Sequence, residues 1–417
     1  AASDVYKRQA LWFINGADYI AGTSAELALV STNSVVQGEH VGLLFPMIFE
    51  MGVESGFAYT SFKWENNAAH NAGVTVVVIG LRSNSSQPKY IFIDDLKTEA
   101  GNINGYLADA RNISIARRTK PLSSIFPKMT FGNMAMDGGN LLLNSAEEKW
   151  IVENHPNASR FVRRILGSQE FINGEDRYCL WILDEERKDA LDINPIRERV
   201  ERVKAKRLSS SDAGTRKKAS EPWKFREQKG GKTDSIIVPR VSSERRDYIP
   251  MGYLGPDTVI SNAAFAVYDA EPWLFALLTS KMHMAWVRAV GGKMKTDYRY
   301  SNTIVYNNFP VPKRIEKYKD QLTETALRIL DVREYHCEKT LAELYDPEAM
   351  PRNLREAHEA NDALVDSLYS KKPYESDEAR LSDLFELYEE MIAAEEAAKA
   401  AKRSRRTVKK SDQAGAK

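Results

Sequence analysis

The side chains with the most chemical potential sit in three short segments. In KMKTDYRYS, Lys295 and Asp297 stand two apart, so on a strand they would project to one face as a donor beside an acceptor. The run PRVSSERR gathers Arg240, Ser242, Arg245 and Arg246, with Lys224 and Arg226 shortly before it. Cations at that density suit a polyanion, and equally a solvated face. In STNSVVQGE, Ser31, Thr32 and Asn33 close an apolar run, and Gln37, Gly38 and Glu39 open a helical pattern. Strand carboxyl ends and helix starts are where open α/β sheets hold ligands. The same residues also read as a cap and a turn.

Other chemistries fall away. The chain has no GxxxxGK[ST] phosphate loop, no GxGxxG after a strand, no HExxH and no GxSxG. The six histidines lack metal-ligand spacing, and His283, inside an apolar segment, reads as a packed or hydrogen-bonded residue. Cys179 and Cys337 make neither a disulfide framework nor a four-cysteine zinc site, fit a reducing compartment, and read as buried small residues.

The elements that must position these groups fall into three zones. At 417 residues and 43% hydrophobic composition, the chain can build two or three domains with true cores. No uninterrupted apolar stretch is long enough to span a bilayer and the first residues lack the apolar core of a signal peptide, so a cytoplasmic protein is expected. To about residue 100, ELALVST, VTVVVIGL and YIFIDDL read as strands buried on both faces of an α/β sheet, with a helix over 38–56. From 101 to 312 the chain is irregular, with short strands at RYCLWIL and SIIVPRV, a basic helix over 192–207, a flexible loop over 209–220 and one helix over 271–290. From 313, periodic helices follow at 316–344, 352–369 and 376–399, then a basic tail expected to be disordered. A formal net charge of +1 conceals segregation: 195–250 carries +8, 315–400 carries −11 and 401–417 carries +6. The basic middle suits a polyanion. The acidic helical end suits packing that braces the middle.

The order ALVSTNSVVQGEHVGLLFP, FAYTSFKWENNAAHNAGVTVVVIGL, GSQEFINGEDRYCLWI, IIVPRVSSERRDYIPMGYL, TDYRYSNTIVYNNFPVP and LAELYDPEAMPRNLREAH closely resembles the later motifs of MmeI-like (type IIL) single-chain restriction–modification DNA adenine methyltransferases. The resemblance runs over roughly residues 10–395. It implies the incomplete sheet of a class I S-adenosylmethionine-dependent methyltransferase (10–100), an α/β target recognition domain (101–312), an α-helical C-terminal bundle (313–395) and a disordered basic tail (396–417). Residues 1–9, AASDVYKRQ, match nothing in the family and read as a foreign junction. The family's Gly-rich cofactor loop and Asn-Pro-Pro loop precede STNS in its members. Neither occurs in this sequence, and Asn194-Pro195 lies after the strand and is followed by Ile196.

The resemblance assigns roles. Methylating adenine inside a duplex requires flipping it out of the stack. In FKW, Phe62 or Trp64 would then stack on the base, with Trp64 favoured and Asn66 as a polar neighbour. Ser31, Thr32 and Asn33 would shape the target-base or cofactor pocket. Lys224, Arg226, Arg240, Ser242, Arg245 and Arg246 become DNA-contact candidates. Lys295 and Asp297 would read one G·C pair, the lysine donating to guanine and the aspartate accepting from the cytosine amine, with an exposed ion pair as the alternative. Arg299 would then touch phosphate or pack. The expected function is a site-specific DNA adenine methyltransferase present as a C-terminal fragment. It would act on double-stranded DNA with a separate catalytic or N-terminal portion and be inactive alone. The alternative is a noncatalytic DNA-binding specificity module.

Overall fold

The computed structural model describes residues 2–64, 74–93, 95–294 and 296–414. The chain forms two compact units, one of residues 1–126, 281–318 and 362–417, the other of 127–280 and 319–361.

In the first unit a five-stranded sheet is built from β1 (Glu26–Thr32), β2 (Val53–Trp64), β3 (Val74–Ser83), β4 (Lys89–Ile93) and β5 (Leu96–Ala100), in the order β1-β3-β2-β4-β5. β1 and β2 both run antiparallel to β3, so they point the same way and their carboxyl ends share one edge of the sheet. Three of these strands are the apolar runs expected. β3 is buried through its middle, but β1 is not buried on both faces: Ala28 and Val30 are exposed. β1 pairs only with β3 among the described residues, so its outer edge is open.

Two bulges set the phase of β2. Ser55 and Phe57 face Leu81 and Gly80, and Tyr59 and Phe62 face Val78 and Val76, so each step carries one extra β2 residue. Register partners share a face. The second bulge therefore places Tyr59, Phe62 and Trp64 on one face, which strict alternation would not do.

Helices α1 (Ala2–Ile20) and α2 (Glu39–Glu50) pack on the sheet and on each other. α1 buries Phe13, Ala17 and Ile20, one helical stripe, and its Gly16 lets it press against Leu27 of β1. The expected helix over 38–56 stops at Glu50, because Gly52, in the left-handed region, turns the chain into β2.

The expected single helix over 271–290 is two, Pro272–Leu278 and α3 (Lys281–Val290). Thr279 and Ser280 interrupt it, each hydroxyl donating to a carbonyl of the preceding turn, at Phe275 (2.8 Å) and Leu277 (2.7 Å). After α3 come β6 (Gly292–Met294) and β7 (Asp297–Arg299), an antiparallel hairpin. A Cβ on Gly291 would sit 2.4 Å from the Val287 carbonyl oxygen, so only glycine lets the hairpin leave the helix so abruptly. Helix α4 (Asp377–Ala414) packs on α3 through Trp286, whose ring lies 5.9 Å from both Phe385 and Tyr388. α4 includes residues 396–414 of the segment expected to be a disordered tail.

The second unit holds two small four-stranded sheets and a core that includes Phe161, Trp181, Ile196, Val200 and Val203. Its basic helix is Asn194–Leu208, close to the expected span. The expected loop after it contains a short helix, Ala213–Lys217, capped by Asp212. Cys179 is buried and its thiol is pushed up to about 12 by burial, whereas Cys337 is exposed, contrary to the reading of both as buried.

Candidate base pocket and nucleic-acid interface

At the carboxyl edge of the sheet, Thr32 of β1 and Phe62 of β2 are both register partners of Val76. The two candidate clusters therefore lie in one row with a single strand between them, about 10 Å apart by strand spacing. The strand-end polar group is Ser31 (9% exposed) and Asn33 (7%), and neither Ser31 Oγ nor Asn33 Nδ2 has a hydrogen-bond partner among the described residues. Buried polar atoms are normally paired, so these two are candidates for a ligand contact. Thr32 Oγ1 meets Ser34 Oγ at 2.8 Å. Gln37 is buried, Gly38 caps α2 with positive φ, and Glu39, the first residue of α2, pairs with Arg117 at 3.0 Å.

Across β3, Phe62 is half-buried and Trp64 is 44% exposed, their ring centroids 6.4 Å apart at 39°. FKW closes β2 as well as preceding β3, so both rings stand at a strand end. Asn66 lies outside the described residues.

The cationic candidates fall into two groups. In the second unit, Lys224 and Arg226 line an open groove of about 680 Å³ with Arg163, Lys218 and Lys229, over Trp181 and Phe225. Asp184, Glu185 and Glu221 also line it. Lys224 ion-pairs with Asp184, which holds that carboxyl below its usual range, and Arg226 donates to Thr215 Oγ1 at 3.1 Å. Arg163 and Lys229 could not be picked from sequence, since nothing in their local spacing marks them.

Beneath the groove lies fully buried Arg207, on the basic helix. Nε donates to Met136 O (3.1 Å), Nη1 to Lys218 O (3.0 Å) and Glu221 O (2.9 Å), and Nη2 to Ala135 O (2.8 Å) and Lys224 O (2.6 Å). All five guanidinium donors are thus spent on backbone carbonyls, one of them that of Lys224. The PRVSSERR residues are largely engaged. Arg240 lies 5.0 Å from the Phe131 ring centroid and donates to Asn262 O (3.2 Å), Ser242 is buried, Arg246 reaches Ser242 Oγ (3.5 Å) and Arg245 pairs with Glu348 (2.9 Å).

The second group is the β6–β7 hairpin. KMKTDYRYS is not one strand: it ends at Met294 and resumes at Asp297, its register partner. Lys295 lies outside the described residues. Asp297 and Arg299 share a face of β7, and neither side chain is hydrogen-bonded or ion-paired among the described residues. Tyr298 points the other way and is buried.

Three family models match the chain in sequence order: the MmeI DNA-methyltransferase domain over residues 6–93, the MmeI target recognition domain over 109–313 and the MmeI C-terminal domain over 314–395. The chain belongs to the MmeI family. A curated relative, DNA methyltransferase A of Bacillus subtilis (strain 168), is 47% identical over 382 residues, 91% of this chain and 43% of the relative. The solved structure of the type IIL restriction-modification enzyme MmeI in complex with DNA is 37% identical, with a TM-score of 0.83 over 92% of this chain and 52% of that one. The chain thus spans about half the length of the proteins it matches. Among the described residues no helix is long and apolar enough to cross a membrane, and no cluster of His, Cys, Asp and Glu could hold a metal ion.

Proposed function

We propose that this chain supplies the base-handling edge and the sequence-reading part of a site-specific, S-adenosylmethionine-dependent DNA adenine N6-methyltransferase of restriction–modification type. It would act on double-stranded DNA in the cytoplasm, with the cofactor loop and the Asn-Pro-Pro loop contributed by an N-terminal portion. The observation that carries the reading is the row Thr32–Val76–Phe62, which brings the end of β1 and the Phe62–Trp64 ring pair to the same end of the sheet, with Ser31, register partner of Val77, on the opposite face. When bound, the cofactor would supply the methyl group.

The chain's own residues would do the rest. Trp64 offers an exposed ring on which a flipped adenine can stack, with Phe62 beside it. Ser31 Oγ and Asn33 Nδ2 offer hydrogen bonds that no group among the described residues takes. The groove cations hold phosphates and fix register, and Asp297 reads a base edge. A portion that covers this edge also suits the open β1 strand and α1, where Trp12 (70%) and Tyr19 (83%) stand exposed.

Methyl transfer to duplex DNA is expected to be absent for this chain alone and to appear when it is co-expressed with the portion of the Bacillus subtilis relative that precedes the matched segment. In that complex Trp64→Ala should lower the transfer rate about 100-fold while leaving DNA affinity within a few-fold, because stacking acts on the flipped state. Equal loss of affinity and rate would refute the stacking role.

The second reading, a noncatalytic specificity module, is favoured by the groove and hairpin lying wholly within this chain while the cofactor loops do not. It requires tight, site-specific binding by the chain alone and no transfer in the complex. In either case Lys224→Glu should weaken binding to all duplexes alike and reduce the slope of log affinity against log salt by about 1. A sequence-dependent loss would mean that Lys224 touches a base.

A further inference from the structure

The buried face of the β6–β7 hairpin is tied to the helices by alternating charge. Lys293 and Tyr298 are register partners on that face, the Lys293 ammonium 5.9 Å from the Tyr298 ring centroid. The Tyr298 hydroxyl accepts from Arg288 Nε at 3.2 Å, and Arg288 Nη1 donates to Asp377 Oδ2 at 2.6 Å. Asp377 opens α4, and its other oxygen accepts from Arg380 Nη1 at 3.2 Å. Arg380 in turn grips Asp366, Nη2 to Oδ2 at 2.6 Å, in a pair largely shielded from water. Much of the acidic charge in this zone is solvated, but Asp366 and Asp377 are committed to this chain of contacts.

Resting on the reading of Asp297 as a base reader, we propose that Tyr298, Arg288 and Asp377 form a positioning relay that sets the reach of the hairpin and so determines specificity at one base pair. β7 is three residues long, and Tyr298 is both its central residue and the covalent neighbour of Asp297. A hydrogen bond to a base edge works only over a few tenths of an ångström, so a hairpin released from Arg288 loses selectivity before it loses contact with DNA. Charge-assisted bonds through a guanidinium fix direction as well as distance, which suits this task. Trp286 Nε1 to Val305 O (3.0 Å) and His283 Nε2 with the Tyr300 hydroxyl (2.9 Å) still hold the flanking chain when the relay is cut.

The test uses the complete chain. Wild type, Tyr298→Phe, Asp377→Asn, Asp377→Glu and Asp297→Asn are titrated by fluorescence anisotropy against the duplex selected by wild type and against its variants at each base pair. Thermal unfolding is measured in parallel. Tyr298→Phe and Asp377→Asn are expected to reduce discrimination at the pair read by Asp297 from about tenfold or more to under about threefold. Affinity for unrelated duplex and its salt dependence should stay within about twofold, and Asp377→Glu should retain selectivity. Equal loss of affinity on every duplex, or failure of Asp377→Glu to retain selectivity, would overturn the relay. A wild type without preference at any pair removes the reading of Asp297 and the relay with it. A preference abolished by Asp297→Asn but untouched by Tyr298→Phe and Asp377→Asn removes the relay alone.

Discussion

Arg207→Ala is expected to destabilise the unit of residues 127–280 and 319–361 by roughly 3–5 kcal/mol, since it strips Met136 O and Lys224 O of their donor at about 1–3 kcal/mol each and empties a buried site, while Ala135 O, Lys218 O and Glu221 O keep backbone donors. The five carbonyls come from two separate segments, 135–136 and 218–224, so one side chain reinforces loops otherwise joined by the backbone pairs Arg226 N to Ala135 O (3.4 Å) and Glu227 N to Met134 O (3.2 Å). Burial pulls the guanidinium below its ordinary pKa, while Asp137 and Glu221 act in the opposite direction, so the charge is kept by the site as well as by the side chain. Arg207→Lys should recover only part of the loss, because an ammonium has three donors and no planar fork. Urea unfolding of the chain gives the stability change. Hydrogen exchange should show protection lost first around 135–136 and 218–227, and DNA affinity should fall with it because the Lys224 carbonyl is one of the five. A change under about 1 kcal/mol would mean that the loops are held by their own packing.

The second large effect is acid lability of the other unit. His283 is fully buried on α3, edge-on to Phe309 at 4.6 Å and bonded to the Tyr300 hydroxyl, and burial lowers its pKa to about 3. In the unfolded chain an imidazole titrates near 6.5. Between those values the unfolded state binds the extra proton, so stability is complete above about pH 6.5 and falls as pH drops toward 3, by up to about 1.4 kcal/mol per pH unit. Carboxylates held low, such as Glu54 and Glu395 (the latter about 2), add to acid lability only once the pH falls into their ordinary titration range, near 4.5, and below it. The window from pH 6.5 to 5 therefore reports histidine titration, to which the equally buried His358 of the second unit also belongs. Urea unfolding across that window should slope for wild type and slope less for His283→Gln. Parallel slopes would mean that the imidazole takes up its proton in the folded state.

The centre of the sheet was legible because VTVVVIGL is a run of β-branched residues buried through its middle, whereas ELALVST, with Ala28 and Val30 exposed, was read as a strand on a burial it does not have. Ser31–Asn33 at a strand end followed from the same pattern. The α1 helix was not legible, since Gly16 reads as a breaker until Leu27 is seen pressing on it. The hairpin escaped for a complementary reason. Seven alternating residues look like one strand, and Lys295-Thr296 carries none of the Asn-Gly or Gly-Gly signals that announce a reversal. Nor could sequence single out Arg207 from its neighbours on a basic helix. Its burial is decided by carbonyls up to 72 residues away, which leave no local trace.

The β2 bulge between Tyr59 and Phe62 has a genetic corollary. Because one surplus residue sets which way Phe62 and Trp64 point, an in-frame loss of a single codon at Thr60 or Ser61 would exchange their face for that of Lys63 while leaving the strand's apolar content and its β3 pairing available. On the reading proposed above, such an allele should accumulate folded protein that still occupies a DNA site while the complemented complex leaves the target base unmodified. Among small lesions in this gene, that is the kind expected to behave as a dominant competitor rather than a simple loss.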